Sequence, residues 1–148
     1  MKLFFILLSS ITVLTACKKE GCTDNLAENF DKEAEKENNT CTYEGTLTFW
    51  INANSSIDFN NNMIDELFVY VDGTKIGQMT SSSNQLTTPD CGSIGLTYYE
   101  NLGLEKNKLV NYKITYEQYV GPGPKEEFTY TEGTLKIEGG QCTTFQIQ

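Results

Sequence analysis

Between residues 44 and 148 the apolar residues of this chain recur at every second position. Leu47, Phe49 and Ile51 alternate with Thr46, Thr48 and Trp50. Leu67, Val69 and Val71 alternate with Glu66, Phe68 and Tyr70. Ile94, Leu96 and Tyr98 repeat the pattern, as do Val110, Tyr112, Ile114 and Tyr116. Phe128 and Tyr130 lead to Leu135 and Ile137, and Phe145 and Ile147 close the chain. Successive side chains of a strand point to opposite faces, so each run offers one face to a core and one to solvent. Asp72-Gly73 joins two such runs. A type I′ hairpin turn needs positive φ at both central residues, and Asp-Gly supplies it. Gly121-Pro122-Gly123-Pro124 and Gly139-Gly140 read as loops. Glu132-Gly133 reads as a bulge where the phase slips.

Seven or eight short strands in about 105 residues, with no helix of credible length, predict an all-β body over 44–148. The expected architecture is an antiparallel two-sheet β-sandwich of the immunoglobulin or transthyretin type.

The first seventeen residues, MKLFFILLSSITVLTAC, are of a different kind. Lys2 precedes an apolar stretch broken by Ser9 and Ser10, shorter than the roughly 20 residues a spanning helix needs. The segment has the layout of a secretory signal. Its end, Leu14-Thr15-Ala16-Cys17, resembles the lipobox of bacterial lipoproteins. That resemblance implies cleavage after residue 16 and lipidation of Cys17, with acyl chains such as palmitate, and so a membrane partner reached through a lipid anchor. Several acyl chains on one residue hold a soluble body at a bilayer, each buried CH₂ contributing about 0.8 kcal/mol. The expected location is the cell envelope, as an outer-membrane lipoprotein facing either side.

The chain has five cysteines. Lipidation of Cys17 leaves Cys22, Cys41, Cys91 and Cys142, for which three pairings exist. Their segregation along the chain favours Cys22–Cys41 and Cys91–Cys142. In the loop-entropy account these closures contribute roughly 3 and 4 kcal/mol. A Cys₄ zinc site would need closely spaced cysteine pairs. Only Cys17 and Cys22 lie near each other in sequence, so no transition metal is expected.

Residues 21–43 read GCTDNLAENFDKEAEKENNTCTY. Gly21, Cys22, Thr23, Asp24, Ala27, Asn29, Phe30, Asp31, Ala34, Cys41 and Tyr43 resemble a short cysteine module of surface and secreted proteins of Bacteroidetes-type bacteria. The form is G-C-T-D-x-x-A-x-N-[YF], ending in C-x-Y. Asn39 stands where that module commonly has glycine, and asparagine tolerates the left-handed turn position. The resemblance implies location and architecture more than activity. Residues 17–43 are therefore expected to form a lipidated leash, Lys18-Lys19-Glu20, and a disulfide-closed module with few contacts to the body. So few apolar residues cannot build a core unaided. Leu26, Phe30 and Ala34, spaced by four, would share one face of a short helix.

Chemistry is sparse. There are 20 acidic and 11 basic residues, giving −9, and every base is lysine. No basic stripe exists to displace counterions, so no nucleic-acid partner is expected. Without histidine the commonest general base is missing, and no nucleophile motif occurs. Glu126 and Glu127 are adjacent in a strand and point apart, a poor acid–base pair. Calcium has two candidate oxygen sets, Asp24, Asn29, Asp31 and Asn38 in the module and Asp58, Asn60 and Asn62 in the body. A helix cap at Asp24 and solvated turn residues are the favoured account of the module set, and an Asn-rich connection between strands explains the body set equally well. Neither cofactor nor metal is expected. Trp50, Phe68 and Tyr70 fall on the outward phase, as aromatics that could stack on a sugar or anchor a protein. The sequence thus points to a non-enzymatic binding or scaffolding module on a lipid anchor, with a protein or glycan partner. The alternative is a carbohydrate-binding surface lipoprotein of a glycan-uptake system.

Overall fold

The computed structural model describes residues 18–148. The signal segment 1–16 and Cys17 lie outside the described residues. Elements run β1 (Glu20–Gly21), β2 (Lys36–Glu37), β3 (Tyr43–Asn52), α1 (Ala53–Asn61), β4 (Glu66–Val71), β5 (Thr74–Thr80), β6 (Asn84–Gln85), β7 (Leu96–Gly103), β8 (Asn107–Tyr119), β9 (Lys125–Glu138) and β10 (Cys142–Ile147).

The body is an all-β sandwich. One sheet has the order β5-β4-β8-β9, antiparallel throughout. The other centres on β3, with β10 on one side and β7 and β6 on the other. Leu47, Phe49, Ile51, Leu67, Val69, Val71, Val110, Ile114, Ile137 and Ile147 fill the space between the sheets, as their alternation requires. Phe145 meets Phe49 edge-on, with ring centroids 5.8 Å apart, and lies 4.7 Å from the Tyr112 ring.

The expectation of a purely antiparallel sandwich is corrected in the β3 sheet. There β10 runs parallel to β3, from Cys142 opposite Thr46 to Ile147 opposite Ile51, and β6 is parallel to it as well. Alternation fixes which face a residue takes but not the direction of its neighbour. Parallel neighbours need a long crossover, and here the crossover includes the entire other sheet.

The edges of the sandwich close where a side chain is missing. A Cβ on Gly45 would lie 2.2 Å from Ile137 Cγ2, and one on Gly77 would lie 2.6 Å from Leu96 Cδ1. The Asp72-Gly73 turn has φ of 46° and 79°, as a type I′ turn demands. The slip expected at Glu132-Gly133 occurs instead at Tyr130, two residues before Glu132. Ile114 faces Thr131 and Thr115 faces Thr129, so Tyr130 is the extra residue. Gly133 instead lies under the Tyr112 ring, where a Cβ would come within 3.0 Å.

A helix is present where none was expected. Asn52 caps α1, its Oδ1 accepting from the Ser55 N–H at 2.8 Å. Its buried face is Ser55, Ser56 and Phe59. The Ser56 hydroxyl donates to the Ser81 carbonyl oxygen, and Asn84 Nδ2 donates to Ser56 Oγ at 3.3 Å. Two of the three inward residues are polar and satisfied, so an apolar repeat does not mark this helix.

Both disulfides form as paired above, with Cα–Cα distances of 4.9 Å for Cys22–Cys41 and 5.7 Å for Cys91–Cys142, within the reach of a bridge. By register Cys142 shares the outer face of its sheet with Thr46, Thr48 and Trp50. The second bridge therefore ties the segment before β7 onto that face.

Residues 18–42 contain no helix; Leu26 and Phe30 are half exposed. The polar side chains win locally. Asp24 Oδ1 accepts from Leu26 N, Asp31 Oδ1 from Glu33 N, and Asn38 Oδ1 from Thr40 N. Such turns offer the backbone an alternative to helical bonds. Asn29 binds the chain around the second cysteine twice, donating to Thr40 O and accepting from Thr42 N. Asn39 takes the left-handed turn, at φ 60°. Lys18–Glu20 is not a free leash, because Lys19 reaches Asp31 at 2.9 Å and Glu33 at 3.0 Å. Nor is the module loosely attached. Cys22, Ala27, Cys41, Tyr43 and Leu102 form one buried cluster spanning module and body. The Asp24 carboxylate accepts from Lys106 Nζ at 2.6 Å and from the Tyr43 hydroxyl at 2.8 Å. Gly140 packs against the Leu26 backbone, leaving no room for a Cβ.

Candidate functional site

The strand directions give the sandwich two distinct ends. β3 and β10 leave the module end and run toward α1, as does β8. β4, β7 and β9 return. The module, the β7–β8 turn and Gly139-Gly140 sit at one end. α1, the Asn-rich residues after it and the β8–β9 hairpin tip sit at the other.

That far end holds a cleft of about 480 Å³, lined by Asp58, Phe59, Asn61, Asn62, Met63, Ile64, Tyr116, Gln118 and Tyr130. Its wall from α1 is built by a helix stop. Met63 N donates to Asn60 O, and Ile64 N to Phe59 O at 2.8 Å. This double closure puts the residue just after the Asn62 cap in the left-handed region, normally a glycine position. Here it is Met63, at φ 56° and 75 % exposed. The opposite wall comes from β8 and β9. Gln118 Nε2 donates to Asn62 O at 2.8 Å, tying the two walls together. Asn62 Nδ2 donates back to Asp58 O at 2.7 Å. Tyr130, the bulged residue, meets Phe59 edge-on at 5.2 Å, and Tyr116 stacks on Phe128 at 5.5 Å. Burial raises the Tyr130 phenol above its ordinary value, with the nearby Asp58 carboxylate adding to the effect. Asp58 is the one charged residue among those lining the cleft. The site therefore combines aromatic surface, amides and a single carboxylate.

The outward aromatics take the expected face but are not open. Trp50 is 6 % exposed and Phe68 is 9 % exposed. Lys75 Nζ lies 4.1 Å above the Phe68 ring centroid, covering it. A stacking ligand needs a free ring face, so neither offers the expected platform. Tyr70 is half-buried and directs its hydroxyl to Glu127 at 3.4 Å. The three do not join the far cleft.

The calcium sets do not converge. In the module, Asp24 is held by Lys106 and Tyr43, Asp31 by Lys19, and Asn29 and Asn38 by backbone groups. The Lys106 hydrogen bond, then the Leu26 N–H and Tyr43 hydroxyl, hold the Asp24 carboxyl down at about 2. In the body, Asp58 and Asn60 lie on α1 two residues apart, hence on different sides of the helix. Asn60 Oδ1 accepts from Ser81 Oγ at 2.9 Å. Among the described residues, Cys22, Glu37 and Cys41 are the one close group of metal-type ligands, and both sulfurs are taken up in the bridge. Glu126 and Glu127 are successive residues of β9 and point to opposite faces.

Sequence reasoning missed the cleft because its parts come from α1, β8 and β9. The one local signal was the Asn52 cap with the Asn60-Asn61-Asn62-Met63 run behind it. No family model, no curated protein and no solved structure matches this chain.

Proposed function

We propose that the protein is a non-enzymatic binding module held at the cell envelope by a lipid on Cys17, and that it presents its far end to a ligand or partner. The observation that carries this reading is the placement of the two ends. The chain enters the body through the module, and the cleft between α1 and the β8–β9 hairpin lies at the opposite pole. A tether at Cys17 would leave that cleft pointing away from the bilayer. Exposed Ile57, Met63, Tyr119 and Val120 belong to the same end, and side chains of this kind favour contact over solubility. The Leu14-Thr15-Ala16-Cys17 run supports the anchor. Among the described residues no helix is long and apolar enough to cross a membrane.

The test is metabolic labelling with radioactive palmitate, followed by membrane fractionation. The parent chain takes up label and sediments with membranes. Cys17→Ser loses the label and is either released or left unprocessed. A Cys17→Ser chain that is still shortened by 16 residues and still sediments with membranes overturns the anchor.

A further inference from the structure

We infer that the module end is a membrane-docking surface, whose Leu26, Phe30 and Leu104 rest in the headgroup region of a bilayer rich in zwitterionic phospholipid. This rests on the reading of Cys17 as lipidated and names a second contact with the same bilayer. The argument starts from slack, of which the chain has almost none. The Lys19 carbonyl oxygen already accepts from Glu35 N at 2.8 Å and from Lys36 N at 3.2 Å. Glu20 and Gly21 then pair with Lys36 and Glu37. Lys19 Nζ holds Asp31 at 2.9 Å and Glu33 at 3.0 Å. Two extended residues span about 7 Å, so an acylated Cys17 keeps Lys19 within that reach of the bilayer surface. The rest of the end is carried down with it. The Cys22–Cys41 bridge closes the module, and Asp24 ties it to Lys106 and Tyr43 of the body.

The side chains at this end fit the contact. Phe30 adjoins Asp31, the residue that Lys19 holds, and its backbone bridges to Cys22. Leu26 lines a recess with Asp24 and Lys106, and Leu104 lines another with the same pair, so the two leucines flank one salt bridge. All three side chains expose apolar surface, of the kind that lies at the boundary of headgroups and acyl chains. So small a set holds a bilayer weakly by itself, but a short tether makes the contact intramolecular and raises its effective concentration. Charge is not the driving force. Residues 18–43 carry four lysines and seven acids, so an anionic surface repels this end while a zwitterionic one does not. The exposed apolar residues of the far end, Met63 and Tyr119 among them, stand at the opposite pole and are out of reach.

The experiment reconstitutes the palmitate-labelled full chain into phosphatidylcholine vesicles whose lipid is brominated high in the acyl chains, where bromine quenches nearby tryptophan. Phe30→Trp and Leu104→Trp each add an emitter at the module end, Tyr119→Trp adds one at the far end, and Trp50 of the parent, buried in the body, sets the background. The added emission of Phe30→Trp and of Leu104→Trp is shifted to the blue and loses at least half its intensity to the bromines. That of Tyr119→Trp, like the parent emission, keeps its intensity. Replacing part of the lipid by phosphatidylglycerol leaves the quenching equal or weaker. Labelled, vesicle-bound chains in which neither module-end tryptophan is quenched, in which Tyr119→Trp is quenched as strongly, or in which quenching requires phosphatidylglycerol overturn the docking surface and leave the anchor standing. Chains that take up no label and do not sediment with vesicles overturn the anchor, and the docking surface with it.

Discussion

Removing the Cys91–Cys142 bridge probes the body most directly. The two cysteines are 51 residues apart, and closing a loop of that size lowers the entropy of the unfolded chain by about 4 kcal/mol equivalent at 25 °C. The sulfurs lie near the surface, Cys142 exposed and Cys91 half-buried, so replacing both by alanine opens no cavity in the core. The expected loss is therefore mostly the entropic one, about 2–4 kcal/mol once residual structure in the unfolded chain is allowed for. For a chain of this length about 3 kcal/mol corresponds to a fall in Tm of roughly 10 °C. The bridge also ties the segment before β7 to the outer face that contains Trp50, the sole tryptophan. Thermal unfolding followed by tryptophan emission reads both effects. In Cys91→Ala with Cys142→Ala, the transition moves down and the native emission shifts to the red as Trp50 becomes wetter. A parent-like transition with unchanged emission refutes the reasoning, because the crossing segment would then be held by other contacts.

Gly45→Ala places a methyl 2.2 Å from Ile137 Cγ2 and 3.0 Å from the Glu138 carbonyl oxygen. Overpacking of this kind costs about 1–3 kcal/mol, so the urea midpoint falls with its slope unchanged, and an unaltered midpoint would show that the two sheets do not meet there. The Asp24 clamp predicts a pH dependence. Its carboxyl is held at about 2 against an ordinary 3.8, so its contribution is fully present above pH 4 and fades as pH falls toward 2. Parent and Asp24→Asn should differ in Tm at pH 6 and converge near pH 2. A constant gap across that window would place the effect elsewhere.

The legible parts of the fold were those set by neighbours in sequence. Alternation put Leu47, Phe49 and Ile51 inward, and Asp72-Gly73 announced its turn. Segregation of the cysteines favoured, among three pairings, the two bridges that form. What stayed hidden depended on distant partners. The direction of β10 beside β3 leaves no mark on either strand. α1 escaped because Ser55 and Ser56 are buried through hydrogen bonds rather than through apolarity. Leu26, Phe30 and Ala34 have helical spacing, yet Asp24, Asp31 and Asn38 draw the same backbone into turns. Phase correctly placed Trp50 and Phe68 outside the core, but phase says nothing about Lys75 lying over Phe68. The cleft was least legible of all, since Met63, Gln118 and Tyr130 meet only after three elements dock.

The parallel seam between β3 and β10 also orders events in time. The central strand β3 meets β10 only across a crossover that contains the whole of the other sheet, so that side is paired late in folding. In the β5-β4-β8-β9 sheet the β4–β5 and β8–β9 pairs join neighbours in sequence and need no such crossover. Pairing across so much sequence slows closure, and an open strand edge is a template for unwanted association. During folding β3 is thus open along Thr46–Ile51 until the six-residue β10 docks.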